Sequence, residues 1–440
     1  MEIIKAYKYR LLPTEEQLDI IKRTCGCARV VYNMLLSDTI NKLENKEAPS
    51  INKVTNLYEE APFLKGIDSL ALSNARINIQ NSFNTFWKSR KGKRKGKKQG
   101  FPKFKKKNKS KESYTTNNQG GSIRIKDSEI KLPKIGFVKF KYHTPIKGLI
   151  KSATITVNKD NTVEISIIVI ENVKPIIKKI NNIKDLKVIG LDMSMSAFFV
   201  SSDGEKPNFD RLYRNSEKKR RRLNKSLHRK KLIGTGEFRY NKKFKKDVEI
   251  KKPSKNREKA RVKLAKLGHK ISNQRKDFAH KLSRKLVDNN DVIVLEDINL
   301  QAMSQCLKLG KSVNDLGFGQ FRTFLEYKSI LSDTLVIKVP KFFASSKTCS
   351  ECGHKNTDLK LKDRDWVCPE CGIIHDRDLN AAYNLRDYFV KEITNTNTVG
   401  TTEIQACGDA TSGLRETLIK VLSVKQEGKT VKFTARSPLL

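Results

Sequence analysis

Two cysteine pairs, Cys349-Ser-Glu-Cys352-Gly353 and Cys368-Pro-Glu-Cys371-Gly372, precede the sequence His375-Asp-Arg-Asp-Leu-Asn-Ala-Ala382. Two Cys-x-x-Cys pairs at this separation are typical of a tetrahedral zinc site, because each pair makes a tight turn that directs two thiolates at one ion. The glycine after each pair permits that turn of the backbone. The alternative is four unrelated reduced thiols. We expect one structural Zn²⁺, bound by Cys349, Cys352, Cys368 and Cys371.

The composition of the chain indicates a polyanionic partner. Its 440 residues include 90 Lys and Arg against 47 Asp and Glu, which leaves a formal charge of +43. Such an excess repels itself in a compact state unless a polyanion shares the surface. Nucleic acid suits this role, because each neutralised phosphate also releases a counterion. A membrane is the competing polyanion, but no apolar run approaches the length of a spanning helix.

The cysteine content and the first residues of the chain bear on its location. Eight cysteines, four of them in the two Cys-x-x-Cys pairs, favour a reducing compartment over a disulfide framework. The first residues alternate like a strand and lack the apolar core of a signal peptide. We therefore expect a cytoplasmic protein that associates with the nucleoid.

The first third of the chain predicts helices followed by a small β-domain. Residues 2–10 alternate like a strand, and Thr14-Glu-Glu-Gln17 is a capping box that predicts a helix start. Helical spacing continues to about residue 87. Residues 121–171 then contain strand-like runs separated by turn residues, which predicts a β-domain that the first strand completes as a barrel.

Two regions of this part are candidates for contact with nucleic acid. The segment 88–111 is rich in Lys and Gly and contains Phe101 and Phe104, a composition typical of a groove that follows the backbone while bases stack on rings. The alternative for this segment is a solvated basic linker. The second region is the polar face of the helix that precedes the segment, and its alternative is a face that contacts only solvent. The candidate contacts are Asn74, Arg76, Asn78, Gln80, Asn84, Lys103, Lys105 and, further along, Arg275.

The second half of the chain predicts buried strands that end in acids. Val188–Asp192 and Asp291–Glu296 are both apolar runs that close on a carboxylate. Between them, residues 211–287 are basic and have helical spacing, which predicts a basic helical insertion. A helix is expected from Leu379 to Tyr388, with Asp378 as its N-cap. The tail from about residue 394 is rich in Thr, Gly and Ser and is expected to be partly disordered.

Three acids, Asp192, Glu296 and Asp378, are therefore candidate metal ligands. Any one of them alone has the alternative interpretation of a capped element end. Carboxylates gathered at the ends of neighbouring elements can hold two Mg²⁺ ions, which prefer oxygen ligands. Two such ions, about 3.5–4 Å apart, activate a water and stabilise the leaving oxygen of a phosphodiester. The pattern predicts a nuclease.

These motifs together resemble the TnpB family, the transposon-associated RNA-guided DNA nucleases, and more distantly the type V CRISPR effectors. The resemblance covers nearly the whole chain. One departure is Met193-Ser-Met195 after Asp192, where relatives usually carry a glycine or another small residue. The matching motifs are Arg29-Val-Val-Tyr-Asn33, Phe101-Pro-Lys-Phe-Lys105, Gly190-Leu-Asp192, Val294-Leu-Glu-Asp-Ile-Asn299, Ser345-Ser-Lys-Thr-Cys349, Asp376-Arg-Asp-Leu-Asn-Ala-Ala382 and Ala406-Cys-Gly-Asp409.

The resemblance implies a multidomain α/β protein and a set of site roles. Asp192, Glu296 and Asp378 take the three metal-binding roles, and Asp376 is the rival for the third. The implied domains are a wedge β-barrel (1–10 and 116–185), a helical recognition lobe with the basic segment (11–115), a ribonuclease H-like RuvC nuclease (186–344 and 373–393) with a basic helical insertion at about 211–287, an inserted zinc ribbon (345–372) and a C-terminal tail (394–440).

The resemblance also implies the partners. The guide is an RNA derived from the transposon end, and double-stranded target DNA is chosen by pairing with that guide next to a short flanking motif. The protein itself is expected to be monomeric. Two alternatives of the same lineage are a guide-dependent repressor that does not cleave DNA and a miniature type V CRISPR effector. A transposase that joins strands has little support, because the six histidines form no His-x-His pair.

Overall fold

The computed structural model describes residues 2–94, 98–107, 112–173, 185–241, 246–305, 309–340, 343–360 and 362–397. The predicted tail beyond Asn397, with its Ala406–Asp409 motif, lies outside the described residues. The chain divides into two compact units. One comprises the residues up to Val173 together with Lys255–Lys266, and the other comprises the remaining described residues. The architecture is mixed α/β, as the sequence predicts.

The first unit combines a seven-stranded antiparallel sheet with two long helices. The strand order is β2-β6-β7-β1-β5-β4-β3, so the first strand of the chain lies in the middle of the sheet. Two short 3₁₀ helices, Val54–Leu57 and Pro62–Gly66, connect the two helices. The elements are β1 (Glu2–Leu12), α1 (Glu15–Glu44), α2 (Ser69–Arg90), β2 (Glu112–Asn117), β3 (Arg124–Lys126), β4 (Glu129–Leu132), β5 (Gly136–Phe140), β6 (Leu149–Val157) and β7 (Val163–Asn172).

Local sequence explains how these elements begin. Thr14 caps α1 with the predicted capping box, in which the side chains of Thr14 and Gln17 each accept the other residue's backbone N–H. Asp68 caps α2 by accepting the N–H of Leu70. Alternating side chains of β1 point into one hydrophobic core that the sheet and both helices share. The predicted recognition helices and the predicted β-domain therefore have a common core.

The second unit is built around a four-stranded sheet of order β13-β12-β8-β9. Strands β13, β12 and β8 run parallel, and β9 is antiparallel to β8. The elements that follow β7 in the chain are β8 (Val188–Asp192), β9 (Val200–Ser201), α3 (Leu212–Asn215), α4 (Glu217–Arg229), β10 (Leu232–Asn241), β11 (Lys246–Pro253), α5 (Lys255–Asn289), β12 (Val292–Glu296), α6 (Leu300–Gln305), α7 (Gly310–Leu316), α8 (Phe318–Leu331), β13 (Leu335–Val339), β14 (Asp365–Val367), β15 (Ile374–Asp376) and α9 (Arg377–Asn397).

The expectation of a helical stretch over residues 211–287 is wrong in its middle, where β10 and β11 form an antiparallel hairpin. The prediction rested on the helical spacing of apolar residues between Ala260 and Leu286, which all lie in α5, and this spacing does not extend into β10 and β11. Two glycines, Gly234 and Gly236, disfavour a helix at the start of this region. Gly236 has a φ of 72°, a conformation that glycine adopts without strain.

Candidate active site and metal centre

Asp192 and Glu296 lie side by side at the carboxyl ends of neighbouring strands. Strands β8 and β12 are parallel, and Leu191 is paired with Leu295, the residues just before the two acids. Both strands are apolar and buried, as expected for parallel strands that are covered on both faces. The structure therefore brings together the two acids that the sequence places at strand ends.

Helix α9 carries the third acid and packs directly on β8. A Cβ atom added to Gly190 would lie 2.1 Å from the backbone O of Ala382 and 2.6 Å from the backbone N of Arg386. Only glycine permits this approach of helix to strand. Since Asp192 follows Gly190 by two residues and Asp378 precedes Ala382 by about one helical turn, this contact brings the two carboxylates to the same region.

The N-cap of α9 is Asp376, so the prediction that Asp378 caps this helix is wrong. The Oδ1 atom of Asp376 accepts the backbone N–H groups of Asp378 and Leu379 at 2.9 and 3.1 Å, and its Oδ2 atom pairs with Lys206 at 2.8 Å. Burial acts to raise the pKa of Asp376, but these hydrogen bonds outweigh it and hold the pKa below its ordinary value. Asp376 is thus occupied in capping, and the Asp378 side chain is left for other contacts.

The three acids interact electrostatically. Burial, the largest cause, and the charges of Glu296 and Asp378 together raise the pKa of Asp192 to about 8, against the opposing charges of Arg377 and Arg364. Carboxylates that repel one another in this way are stabilised in their charged form by a nearby cation. The property fits residues that bind divalent cations, which are hard ions with a preference for oxygen ligands.

Asp378 and Glu296 each have defined partners. The guanidinium of Arg364 donates to both carboxylate oxygens of Asp378 at 3.2 Å, and the hydroxyl of Ser194 donates to Oδ2 at 3.4 Å. The hydroxyl of Ser345 donates to Oε1 of Glu296. Neither Arg364 nor Ser194 stands out in the sequence. Ser345 lies in a motif, Ser345-Ser-Lys-Thr-Cys349, but the motif alone assigns it no role.

The four cysteines of the ribbon form a cluster that can hold a metal such as zinc. Their Sγ atoms all lie within 4.8 Å of one another, with 3.6 Å between Cys349 and Cys371 and between Cys352 and Cys368. Tetrahedral Zn–S bonds of about 2.3 Å place sulfur atoms about 3.8 Å apart. Backbone N–H groups, led by that of Cys371, hold the pKa of the Cys368 thiol at about 6, which favours the thiolate that binds metal.

The carboxylate oxygens of the three acids lie farther from one another than the Sγ atoms of the four cysteines. In the part of the chain that the structure describes, the cysteine cluster is the only group of three or more His, Cys, Asp or Glu whose ligand atoms all lie within 4.8 Å of one another. Two ions about 3.5–4 Å apart are bound by ligands on opposite sides of the pair, so these ligands span more than one coordination sphere. The donor chemistry of Asp192, Glu296 and Asp378 fits such a pair.

Three protein-family models match the chain. They are described as "Helix-turn-helix domain" over residues 1–47, "Probable transposase" over residues 233–307 and "Cas12f1-like, TNB domain" over residues 318–385. The first two are models of the transposon-encoded OrfB proteins. The third covers helix α8, the cysteine cluster and the first part of α9.

Related sequences align with most or with part of the chain. A protein of Streptomyces pristinaespiralis named "Putative RNA-guided DNA endonuclease" is 28% identical, over 87% of this chain and 89% of its own length. InsQ of Escherichia coli K12, which has the same description, is 25% identical over 88% and 92%. The TnpB-like protein L79 of Acanthamoeba polyphaga mimivirus is 31% identical over 30% and 26%. By these matches the chain is similar to the TnpB proteins and to the RNA-guided DNA endonucleases named above.

The solved structures that match the chain do so with TM-scores below 0.5. The cryo-EM structure of the Cas12f1–sgRNA–target DNA complex matches 88% of this chain and 99% of its own, with 15% identity and a TM-score of 0.49. The structure of the mini-RNA-guided endonuclease CRISPR-Cas_phi3 matches 87% and 92%, with 10% identity and a TM-score of 0.48. No helix in the described part of the chain is long and apolar enough to cross a membrane.

The predicted nucleic-acid contacts on α2 differ in their surroundings. Arg76 donates to the backbone O atoms of Asn52 and Ile51 at 2.9 and 3.0 Å, so its guanidinium holds the loop before α2. Asn74 donates to the backbone O of Leu70 at 2.8 Å. Asn78 and Asn84 are exposed, and the Gln80 amide donates to Asn84 at 3.4 Å. Of the five candidates on α2, Asn78, Gln80 and Asn84 are therefore the ones whose side chains are open to a ligand.

The predicted basic contacts also divide into two kinds. The Lys105 ammonium lies 4.0 Å from the centroid of the Tyr32 ring, and burial lowers its pKa. Lys105 is further held by Asn33, whose side-chain amide bonds both its backbone N–H and its backbone O. Arg275 donates to the backbone O of Asn314. Lys103 is exposed, so it remains the most accessible of these candidates.

Proposed function

We propose that this protein is an RNA-guided DNA endonuclease of the TnpB type that hydrolyses a phosphodiester of its target with two Mg²⁺ ions held by Asp192, Glu296 and Asp378. The observation that carries the proposal is the meeting of two strand-end acids with an acid of α9, fixed by the contact between Gly190 and Ala382. The relatives that align along most of the chain are named as RNA-guided DNA endonucleases.

The protein's own residues have distinct tasks in this reaction. Bound Mg²⁺ ions supply Lewis acidity toward the scissile phosphate and toward the attacking water. Asp192 and Glu296 are held at the ends of buried strands, so their carboxylates are rigidly positioned. Asp378 is directed inward from the first turn of α9, while Arg364 supplies positive charge beside it. Asp376 takes no part in metal binding, because it caps the helix.

The domain roles follow the family pattern. The sheet β13-β12-β8-β9 with α9 acts as a RuvC nuclease of ribonuclease H-like fold, and the cysteine cluster binds one structural Zn²⁺. The sheet and helices of the first unit act as wedge and recognition lobe. Asn78, Gln80, Asn84 and Lys103 are the predicted contacts to nucleic acid that remain open to it. The guide is an RNA from the transposon end, a short motif beside the target is read by the protein, and the protein acts as a monomer.

The experiment is cleavage of a guide-matched DNA duplex by purified ribonucleoprotein. Asp192→Ala, Glu296→Ala and Asp378→Ala should each abolish Mg²⁺-dependent cutting, while guide and target binding stay within about twofold, because only metal ligands are lost. Asp203→Ala is the matched control, since it removes an exposed acid in the turn after β9. Full cutting by the three variants would refute the mechanism, and absence of cutting by the natural protein would favour a guide-dependent repressor.

A further inference from the structure

Ser345 connects the nuclease acids to the cysteine cluster. It is the first residue of the predicted ribbon (345–372), is 4% exposed, and donates its hydroxyl hydrogen to Oε1 of Glu296. Its backbone O accepts the side-chain amide of Asn384 on α9 at 2.8 Å. Ser345 is therefore bonded on one side to a strand-end acid and on the other to the helix that carries Asp378.

Two asparagines of α9 hold the backbone that leads into the first cysteine pair. Asn384 also donates to the backbone O of Thr348 at 2.6 Å, and Asn380 donates to the same oxygen at 2.8 Å. The side-chain O of Asn380 accepts the N–H of Ser350 at 2.9 Å. These bonds fix the residues on both sides of Cys349. Asn380 and Asn384 are 1% and 4% exposed, so water does not compete for these bonds.

The cysteine cluster completes this connection. Cys349 is buried. Its Sγ atom lies 3.6 Å from the Sγ atom of Cys371 and 3.0 Å from the Nε2 atom of His375. A metal ion bound to the four thiolates would hold Cys349 in one place. Cys349 in turn lies between Thr348 and Ser350, which the asparagines bind. The cluster and Glu296 are therefore joined through one short segment, Ser345–Ser350.

The chemistry of the Ser345 contact suits the orientation of a metal ligand. A hydroxyl is a neutral donor, so it fixes one oxygen of Glu296 without bringing a positive charge that competes with a cation. Hydrogen bonds to ligating carboxylates from such outer partners typically change metal affinity or activity by about 10–100-fold when removed. A lysine or arginine in this place would instead neutralise the carboxylate.

We propose that Ser345 is a positioning residue for Glu296, and that metal bound at the four cysteines fixes Ser345 through Asn380 and Asn384. This inference rests on the proposed nuclease function. It assigns the ribbon a task in arranging the nuclease site, in addition to any contact that the ribbon makes with nucleic acid.

The first test compares Ser345→Ala, Ser345→Thr and Ser350→Ala in the guide-bound protein. Ser350→Ala is the matched control, because its hydroxyl has no hydrogen-bond partner among the residues that the structure describes and its backbone N–H bond is kept. At saturating target, Ser345→Ala should cut about 10–100-fold more slowly and need more Mg²⁺ for half-maximal rate. Ser345→Thr, which keeps the hydroxyl, should restore most of the rate. Ser350→Ala should cut at the natural rate.

Readouts other than cleavage separate positioning from a general structural role. Ser345→Ala should retain zinc by elemental analysis and should retain its guide RNA and target affinity. Loss of zinc or of target binding would overturn the proposal, and so would a natural rate in Ser345→Ala. If the natural protein cuts no DNA at all, the proposed nuclease function fails instead, which is a distinguishable result.

The second test addresses the coupling to the metal. Cys352→Ala should lose zinc, and hydrogen exchange of the amides in Ser345–Ser350 should then become faster, because Cys349 is no longer held. Cys27→Ala, a cysteine of α1 in the other unit, should leave exchange in this segment as it is. Unchanged exchange in zinc-free Cys352→Ala would overturn the role assigned to the metal.

Discussion

Gly190 of β8 and Ala382 of α9 lie so close that a single added methyl group would overlap the backbone. The position of a Cβ atom at Gly190 is 2.1 Å from the Ala382 oxygen. The obstacle is backbone, which cannot turn away as a long side chain can. The distance between helix and strand, and with it the meeting of Asp192 with Asp378, therefore depends on the absence of a side chain at one residue.

Gly190→Ala should accordingly damage both stability and cleavage. We expect a loss of about 3 kcal/mol from overpacking and a fall in cleavage rate of about 100-fold, because displacement of α9 misplaces Asp378. Gly268→Ala is the control, since that glycine has no atom within 4 Å of its added Cβ and lies in helix α5. The control should be neutral or slightly stabilising, and the unfolding midpoint with a cleavage time course measures both. Equal behaviour of the two variants would contradict the packing argument.

The assignment of Asp376 as cap and Asp378 as ligand predicts opposite effects of two serine substitutions. Asp376→Ser keeps an oxygen that can cap α9, so it should cut DNA at close to the natural rate. Asp378→Ser should cut no DNA while keeping the natural unfolding midpoint within a few degrees. Asp376→Ala should lower stability by about 1 kcal/mol. Cleavage by Asp378→Ser together with loss of cleavage in Asp376→Ser would mean that Asp376 is the ligand and Asp378 is not.

Lys328 predicts a pH-dependent contribution to stability. Burial, with a smaller effect of Arg284 and against that of Asp288, lowers the pKa of Lys328 to about 8, although its ammonium group donates to the backbone O of His280 and to Ser283. Between pH 8 and its ordinary pKa of 10.5 the unfolded chain binds more protons at this residue than the folded chain. Stability from this residue therefore rises with pH over that window.

Lys328→Met removes this dependence. The unfolding midpoint of the variant relative to the natural protein should be highest near pH 7 and should fall by the equivalent of about 1–3 kcal/mol by pH 10. Thermal unfolding at several pH values measures the difference. A difference that does not vary with pH would show that the ammonium group is not disfavoured in the folded state.

Removal of the zinc ligands should act locally. Cys368→Ser should reduce bound zinc from about one equivalent to a small fraction, because a three-thiolate site binds the ion far less tightly. Proteolysis should then begin within residues 345–376, where few apolar side chains are buried apart from Leu359 and Trp366. The control is Cys25→Ala, in α1, which should retain zinc at the four-cysteine cluster. Zinc retained by Cys368→Ser would refute the predicted ligand set.

Asn33 should control the order of the basic segment. Its amide bonds both backbone groups of Lys105, at 2.8 Å to the N–H and 2.9 Å to the oxygen. Asn33→Ala removes both bonds, so trypsin should cut residues 98–107 at least several-fold faster than in the natural protein. Asn41→Ala, further along α1, is a control of the same type. Equal cutting rates would mean that Phe101, which packs on Phe83 and Phe86, holds the segment alone.

Much of the fold could be predicted from local patterns. The capping box at Thr14 and the apolar runs before Asp192 and Glu296 are direct consequences of hydrogen bonding and burial, and the structure contains each of them. The meeting of the two acids followed from the parallel arrangement of their strands. That arrangement is a property of neighbouring buried strands rather than of any one residue.

The remaining differences arise where two arrangements suit the same local sequence. Asp376 directly precedes α9 and Asp378 lies in its first turn, and only the backbone conformation decides which of them caps the helix. Arg76 lies on a polar helix face, but its guanidinium donates to the backbone O of Asn52 in the preceding loop. The Ser345 contact joins residues 49 apart in the chain, so no local pattern indicates it.

The asparagine bonds from α9 to Thr348 and Ser350 have a consequence for attempts to miniaturise such an enzyme. Excision of the ribbon (345–372) would remove few residues, yet it would leave two buried amides in the nuclease without partners and would take away the serine hydroxyl that donates to Glu296. A shortened protein would therefore need new partners for both amides before it could regain the natural architecture of its cutting site.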